Sequence, residues 1–230
     1  MIFIRSLIFN IYFIFVTFGV AIFLCPVLLI KPIQFYPSRI WTHLTVLGLK
    51  YICGITHKVE GKENIVKNSD ALYISKHQSA WETFMFYAFV DKPAFVLKKE
   101  LMRIPFVNFF FIALKMIVVD RSAGSKSLRK LVLDAKDRIQ NKRQVVIFPE
   151  GTRTNHGEIA KLNPGVYSIY KEVETRYIPV ALDSGKCWGR NAFYKKPGVI
   201  TIKFFPALPL GLSKDEFTKQ VHDLINAKLD

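Results

Sequence analysis

The 230-residue chain carries 33 Lys+Arg against 18 Asp+Glu, a formal net charge of +15, and is half hydrophobic with 20 Phe. That apolar content excludes a disordered chain, and the length predicts one compact core with an appendage. Strong basicity at a mean hydropathy of +0.20 points to a membrane surface before a nucleic acid.

From Ser6 to Ile30 there is no charged residue, which exceeds the roughly 20 apolar residues a helix needs to cross the hydrocarbon core. The run is too long for the apolar region of a signal peptide and ends in CPVLLIKP rather than at a small-residue cleavage site, so it is expected to be retained. Pro26 and Pro32 break the helix, and a second mostly apolar stretch over 38–55 follows, with Ser38 as its candidate N-cap. Two arrangements fit: a spanning helix followed by an interfacial one, or a hairpin that dips into one leaflet and returns. If the first run spans, Arg5 precedes it while Lys31, Arg39 and Lys50 follow, so the positive-inside bias puts the remainder in the cytoplasm. Cys25, Cys53 and Cys187 are far apart and lack metal-ligand spacing, and read as small buried hydrophobes in a reducing compartment.

From about residue 57, short β-branched runs alternate with helix-compatible stretches, the pattern of an α/β domain. Strands are expected at 71–75, 94–97, 116–120, 144–148, 177–182 and 199–205, and helices near 81–90, 105–114, 125–140, 164–173 and 214–229. Ser213 and Glu216 open the last helix as a capping box. Pro179 inside a strand pattern predicts an edge, a bulge or a strand start. The expected division is 1–56 as membrane-anchoring helices and 57–230 as the α/β domain.

Two constellations carry chemistry. The run ALYIS empties into KHQSAWE, which puts His77 in a turn and Glu82 in the first turn of a helix. Five residues apart on one helix they would face different ways, so they can meet only if the histidine precedes the helix. A carboxylate on one imidazole nitrogen then fixes the tautomer and leaves the other nitrogen to remove a proton from a hydroxyl. A backbone N–H at that helix start is the candidate oxyanion donor. Downstream, QVVI runs into FPEGTR, a tight turn whose Gly151 permits close backbone approach and whose Arg153 suits bidentate phosphate binding.

KHQSAWE, LKKELMRIP, FPEGTR and YIPVAL, in that order and at these separations, resemble the four motifs of the glycerolipid acyltransferases, most closely the bacterial 1-acylglycerol-3-phosphate acyltransferases. The resemblance covers roughly residues 70 to 185. It implies an α/β catalytic domain with a mixed central sheet, lying on the bilayer behind an amino-terminal membrane-embedded helical pair. The implied reaction moves a fatty acyl group from acyl-CoA or acyl carrier protein to the sn-2 hydroxyl of lysophosphatidate, giving phosphatidic acid on the cytoplasmic side of a bacterial inner membrane. It further implies His77 as general base and Glu82 as its orienting carboxylate. Lys98, Glu150, Gly151, Thr152 and Arg153 would serve the acceptor phosphate, with Glu150 organising the site, and Ile178 and Pro179 would lie on the acyl-chain side. Asp120-Arg121 matches the family's Asp-Arg pair. No metal and no cofactor are implied; the thioester is a co-substrate, membrane lipid and acyl carrier protein are the expected partners, and nucleic acid is not. Three positions depart from the pattern: Glu82 where Asp is commoner, and Asn108 and Lys115 where Gly is frequent. Rival readings are the same chemistry on another lysolipid, such as lyso-ornithine lipid, or a non-catalytic membrane-anchored binder of anionic lipid.

Overall fold

The computed structural model describes residues 1–229, with Arg121 described by its backbone alone; the side chain of the Asp-Arg pair's arginine lies outside the described residues. The chain opens with α1 (Ile2–Phe23), which turns through short 3-10 segments at Cys25–Leu29 and Lys31–Ile33 into α2 (Tyr36–Gly48). Pro26 and Pro32 each occupy the first positions of those segments, where a missing N–H costs nothing. The second helix starts earlier than expected. Pro37, with its preset φ, stands in the first turn, and Ser38 is a buried helical residue rather than the cap. A π turn over Leu49–Cys53 ends α2 at Gly54, whose φ of 70° is left-handed.

Among the described residues, seven strands follow: β1 (Ile55–Glu60), β2 (Ala71–Ser75), β3 (Pro93–Lys98), β4 (Ile117–Val119), β5 (Gln144–Ile147), β6 (Tyr177–Leu182) and β7 (Gly198–Phe204). They form one sheet in the order β1-β7-β6-β2-β5-β3-β4, parallel throughout except where β7 runs antiparallel to β6. The helices between them are α3 (Trp81–Phe89), α4 (Val107–Ala113), α5 (Gly124–Gln140) and α6 (Gly165–Glu172), and α7 (Lys214–Ile225) follows the last strand. The first strand escaped the sequence reading because ITHKVE is an edge strand with three consecutive exposed residues, Thr56 to Lys58, and so shows no apolar run. The last helix stops at Ile225, short of 229, where the Asn226 side chain caps the His222 carbonyl at 2.7 Å.

Alternation along the central strands sorts side chains into two cores. Tyr73, Val146 and Ile178 face Phe84, Phe86 and Phe9, the side covered by α1, α2 and α3. Leu72, Ile74, Val145 and Ile147 face Leu131, Ile169 and Phe217 on α5, α6 and α7. Pro179 corrects the edge-strand expectation, since β6 lies inside the sheet between β2 and β7. Its carbonyl accepts from the Phe205 N–H at 3.0 Å, so its missing N–H falls opposite Phe205, one residue beyond the end of β7. Lys115, at a frequent Gly position, has a φ of 48°, which is the backbone conformation that a glycine would adopt freely there.

A buried lysine ties α1 to the rest. The Lys195 N–H donates to Ser6 Oγ, its ammonium donates to Asn10 Oδ1 and the Phe193 carbonyl, and it lies 4.8 Å from the Trp188 ring centroid. Burial pushes this ammonium down from 10.5 to about 8. Between those values the unfolded chain holds the extra proton, so this group makes the fold more stable as pH rises from about 8 towards 10.5. The difference in melting temperature between wild type and Lys195→Met is therefore expected to change over that interval and to be flat below it. A constant difference across pH 7–10 would contradict the burial account.

Candidate active site

The site lies at the carboxyl ends of β2 and β5, the end of a parallel sheet where ligands bind. His77 follows β2 by two residues and precedes α3 by four, so the strand exit supplies the bend that the pair requires. His77 Nδ1 lies 2.8 Å from Glu82 Oε1. The same oxygen accepts the Gln78 and Ser79 N–H groups, each at 2.6 Å, and Glu82 Oε2 accepts the Ser184 hydroxyl at 2.8 Å. Glu82 is 0% exposed. With Oε1 an acceptor for every neighbour, the imidazole donates through Nδ1–H and leaves Nε2 as its free nitrogen.

These bonds narrow one expectation. The Gln78 and Ser79 N–H groups are spent on Glu82, and the Trp81 N–H donates to Ser79 Oγ at 3.2 Å, so none of the three is left as an oxyanion donor.

The FPEGTR turn supports His77 from the other side. Phe148 stacks on the imidazole with centroids 4.0 Å apart and planes 17° apart. Glu150 Oε2 accepts the His77 N–H at 2.7 Å, while Oε1 pairs with Lys76 Nζ at 2.6 Å and accepts from Thr154 Oγ1 at 3.3 Å. Both members of that ion pair are buried, and Lys76 also donates to the Glu158 carbonyl and to Asn226 Oδ1, each at 2.7 Å. Thr154 closes the arrangement by donating its N–H to the His77 carbonyl at 2.8 Å. Glu150, expected as the organiser among the phosphate-side residues, sits beneath the histidine with both oxygens engaged.

Above His77 opens a cavity of about 890 Å³ whose wall includes His77, Lys98, Gly151, Thr152, Arg153 and Arg190. The Arg153 side chain is half-buried and hydrogen-bonds no described residue; burial pushes its guanidinium down, the Glu82 charge raises it, and Arg190 lowers it further. The remaining wall is mostly apolar and comes from α1 (Val20, Ala21), α2 (Trp41), α4 (Phe110, Phe111) and α5 (Leu128, Leu131). Ile178 and Pro179 are buried in β6 and form no part of that wall.

Sequence reasoning missed Lys76, Ser184 and Arg190. The first two adjoin motifs, Lys76 immediately before His77 and Ser184 two residues past the end of YIPVAL. Arg190 had no local signal, because its place in the wall depends on the loop after β6.

Residues 56–183 match the Acyltransferase family. The 1-acyl-sn-glycerol-3-phosphate acyltransferase of Pseudomonas aeruginosa is 30% identical over 194 residues, covering 84% of this chain and 75% of that protein. The protein of the same name from Borreliella burgdorferi is 29% identical, covering 78% of this chain and 74% of its own. The crystal structure of the 1-acyl-sn-glycerophosphate (LPA) acyltransferase PlsC from Thermotoga maritima superposes with a TM-score of 0.81 at 22% identity, covering 100% of both chains, which establishes a shared fold. With the match spanning the strands and turns that carry His77, Glu82 and Arg153, the chain belongs to the Acyltransferase family.

Proposed function

We propose that this enzyme transfers a fatty acyl group from an acyl thioester, acyl-CoA or acyl carrier protein, to the sn-2 hydroxyl of 1-acylglycerol 3-phosphate, giving phosphatidic acid. The observation that carries the mechanism is the His77–Glu82 contact of 2.8 Å in a cavity whose wall includes Lys98, Arg153 and Arg190. His77 Nε2 takes the hydroxyl proton as the oxygen attacks the thioester carbon, and Glu82 stabilises the imidazolium that forms. The C–O bond forms, the C–S bond breaks, and the proton passes from His77 to the departing thiolate. Lys98 and Arg153 hold the acceptor phosphate, and their charge favours the developing oxyanion. Glu150, with Lys76, positions His77 through its backbone. The reading is tested by offering detergent-purified protein both donors against a panel of lysolipids and glycerol 3-phosphate. Transfer to every lysolipid but lysophosphatidate would overturn the acceptor.

The clamp has its own test. Arg153→Ala is expected to lower kcat/KM for the acceptor by about tenfold to a hundredfold, the size of one charge-assisted contact, chiefly through KM. Arg153→Lys should restore only part, since an ammonium cannot reproduce the guanidinium fork. Acceptor kinetics unchanged in Arg153→Ala would remove it from the clamp.

Residues 1–56 act in this reading as the anchor and 57–230 as the catalytic domain, held on the cytoplasmic face of a bacterial inner membrane where its thioester donors occur. Helix α1 is long and apolar enough to cross a bilayer, but the contacts favour a hairpin in one leaflet. Arg5 Nε donates to the Ile52 carbonyl at 2.5 Å near one end, and Trp41 Nε1 donates to Thr17 Oγ1 at 3.0 Å near the other. Those bonds fasten α1 to α2 and its closing turn at both ends, and Ser6 and Asn10 fasten it to Lys195 of the catalytic domain, so α1 lies beside that domain rather than beneath it.

A further inference from the structure

Helix α4, VNFFFIA, is apolar at every position except Asn108, yet none of its residues is buried. One side, with Val107, Phe110 and Phe111, forms part of the cavity wall; the other exposes Phe109 at 53% and Ile112 at 60%. A helix with apolar residues facing both ways belongs inside a core or in lipid, and this one is a single helix thick between the cavity and the outside. The preceding turn adds exposed Leu101, Ile104 and Phe106. Scattered exposed side chains would mean little, but a contiguous apolar patch marks a contact surface.

Two observations identify what covers it. Helix α4 packs against the Cys25–Leu29 turn at the end of α1, where Phe23 and Leu29 are about four-fifths exposed, so its outer side continues the apolar surface of the proposed anchor. Exposed cations border the patch in sequence, Lys31 beyond the α1 turn and Arg103 and Lys115 on either side of α4, as suits anionic headgroups around an apolar insertion.

We propose that α4 is a second membrane contact: its outer face inserts into the acyl-chain region of the same leaflet as α1. This rests on the acyl-transfer reading given above. Docking of α4 then limits transfer from a bilayer but not from solution.

The test uses full-length protein carrying Phe109→Glu and Ile112→Glu, both at exposed positions outside the cavity wall. Transfer is measured to oleoyl-lysophosphatidate in phosphatidylethanolamine–phosphatidylglycerol vesicles and, in parallel, to hexanoyl-lysophosphatidate dissolved as monomer. The expected result is a loss of about tenfold or more in kcat/KM on the vesicle substrate, because two exposed apolar side chains that would enter lipid are replaced by charges that resist insertion. On the soluble substrate the variant should match wild type. Equal losses on both substrates, or no loss on either, would overturn the proposal, whereas wild-type protein inactive on both would instead fault the acyl-transfer reading. A second measurement needs no activity: Phe109→Trp should add fluorescence that lipids brominated in their acyl chains quench. Added fluorescence that these lipids leave unquenched would overturn the proposal, as would a detergent-stable dimer abolished by the Glu pair, which would make the patch a contact between two copies.

Discussion

Glu82→Gln is expected to lower kcat by about a hundredfold or more, the general size of acid-base assistance, while leaving the protein folded. The surroundings of Glu82 dictate how the amide would sit. Two backbone N–H groups, of Gln78 and Ser79, converge on Oε1 together with the imidazole, so only the carbonyl of Gln fits there. Its NH2 then falls beside Ser184, whose hydroxyl can turn to accept it. The histidine keeps its tautomer, and what disappears is the negative charge that stabilises imidazolium. Glu82→Asp keeps the charge but is one methylene shorter, so it cannot reach both the His77 side and Ser184, and a partial loss is expected. His77→Ala should be at least as damaging as Glu82→Gln, and the double variant little worse, because residues acting as a unit are not additive. If Glu82 served only the helix macrodipole, worth about 0.3 to 1 kcal/mol, the Gln protein would melt slightly earlier and keep its turnover. Melting temperature and acyl transfer on these proteins separate the two accounts, and near-normal turnover in Glu82→Gln would exclude the dyad.

The parts of this molecule legible in its sequence are those governed by neighbours along the chain. The runs ALYIS and QVVI are buried at every position, and a fully buried parallel strand reads as an unbroken apolar stretch. The capping box is present with both bonds formed. The bend between His77 and Glu82 followed from spacing alone, since a strand exit was the one local geometry that allowed them to meet. What did not follow was long-range. Ser184 reaches Glu82 only because β6 lies beside β2, and an edge reading of Pro179 would have placed that loop elsewhere. Lys76 carried no local signal of its role, because its burial depends on Glu150, the Glu158 carbonyl and Asn226, which are remote in sequence. The helix-start amides looked available for an oxyanion because spacing cannot show that a side chain three or four residues on has already taken them.

The Lys76–Glu150 pair separates positioning from stability. Glu150→Leu leaves a buried ammonium without its counter-charge, a change that typically costs about 3 to 5 kcal/mol, and it removes the acceptor of the His77 N–H. Both melting temperature and kcat should fall. Lys76→Met alone strands the carboxylate but leaves it bonded to His77 and Thr154, so stability should fall by a similar amount and kcat by less. In the double variant no buried charge remains unpaired, and replacing a whole ion pair by apolar side chains is often close to neutral, so most of the melting temperature should return. The turnover should not return with it, because the His77 N–H still has no acceptor and the ring is held by Phe148 stacking and Glu82 alone. Recovery of kcat together with stability in the double variant would make Glu150 a purely structural partner of Lys76; recovery of stability without kcat assigns it the placement of the catalytic base.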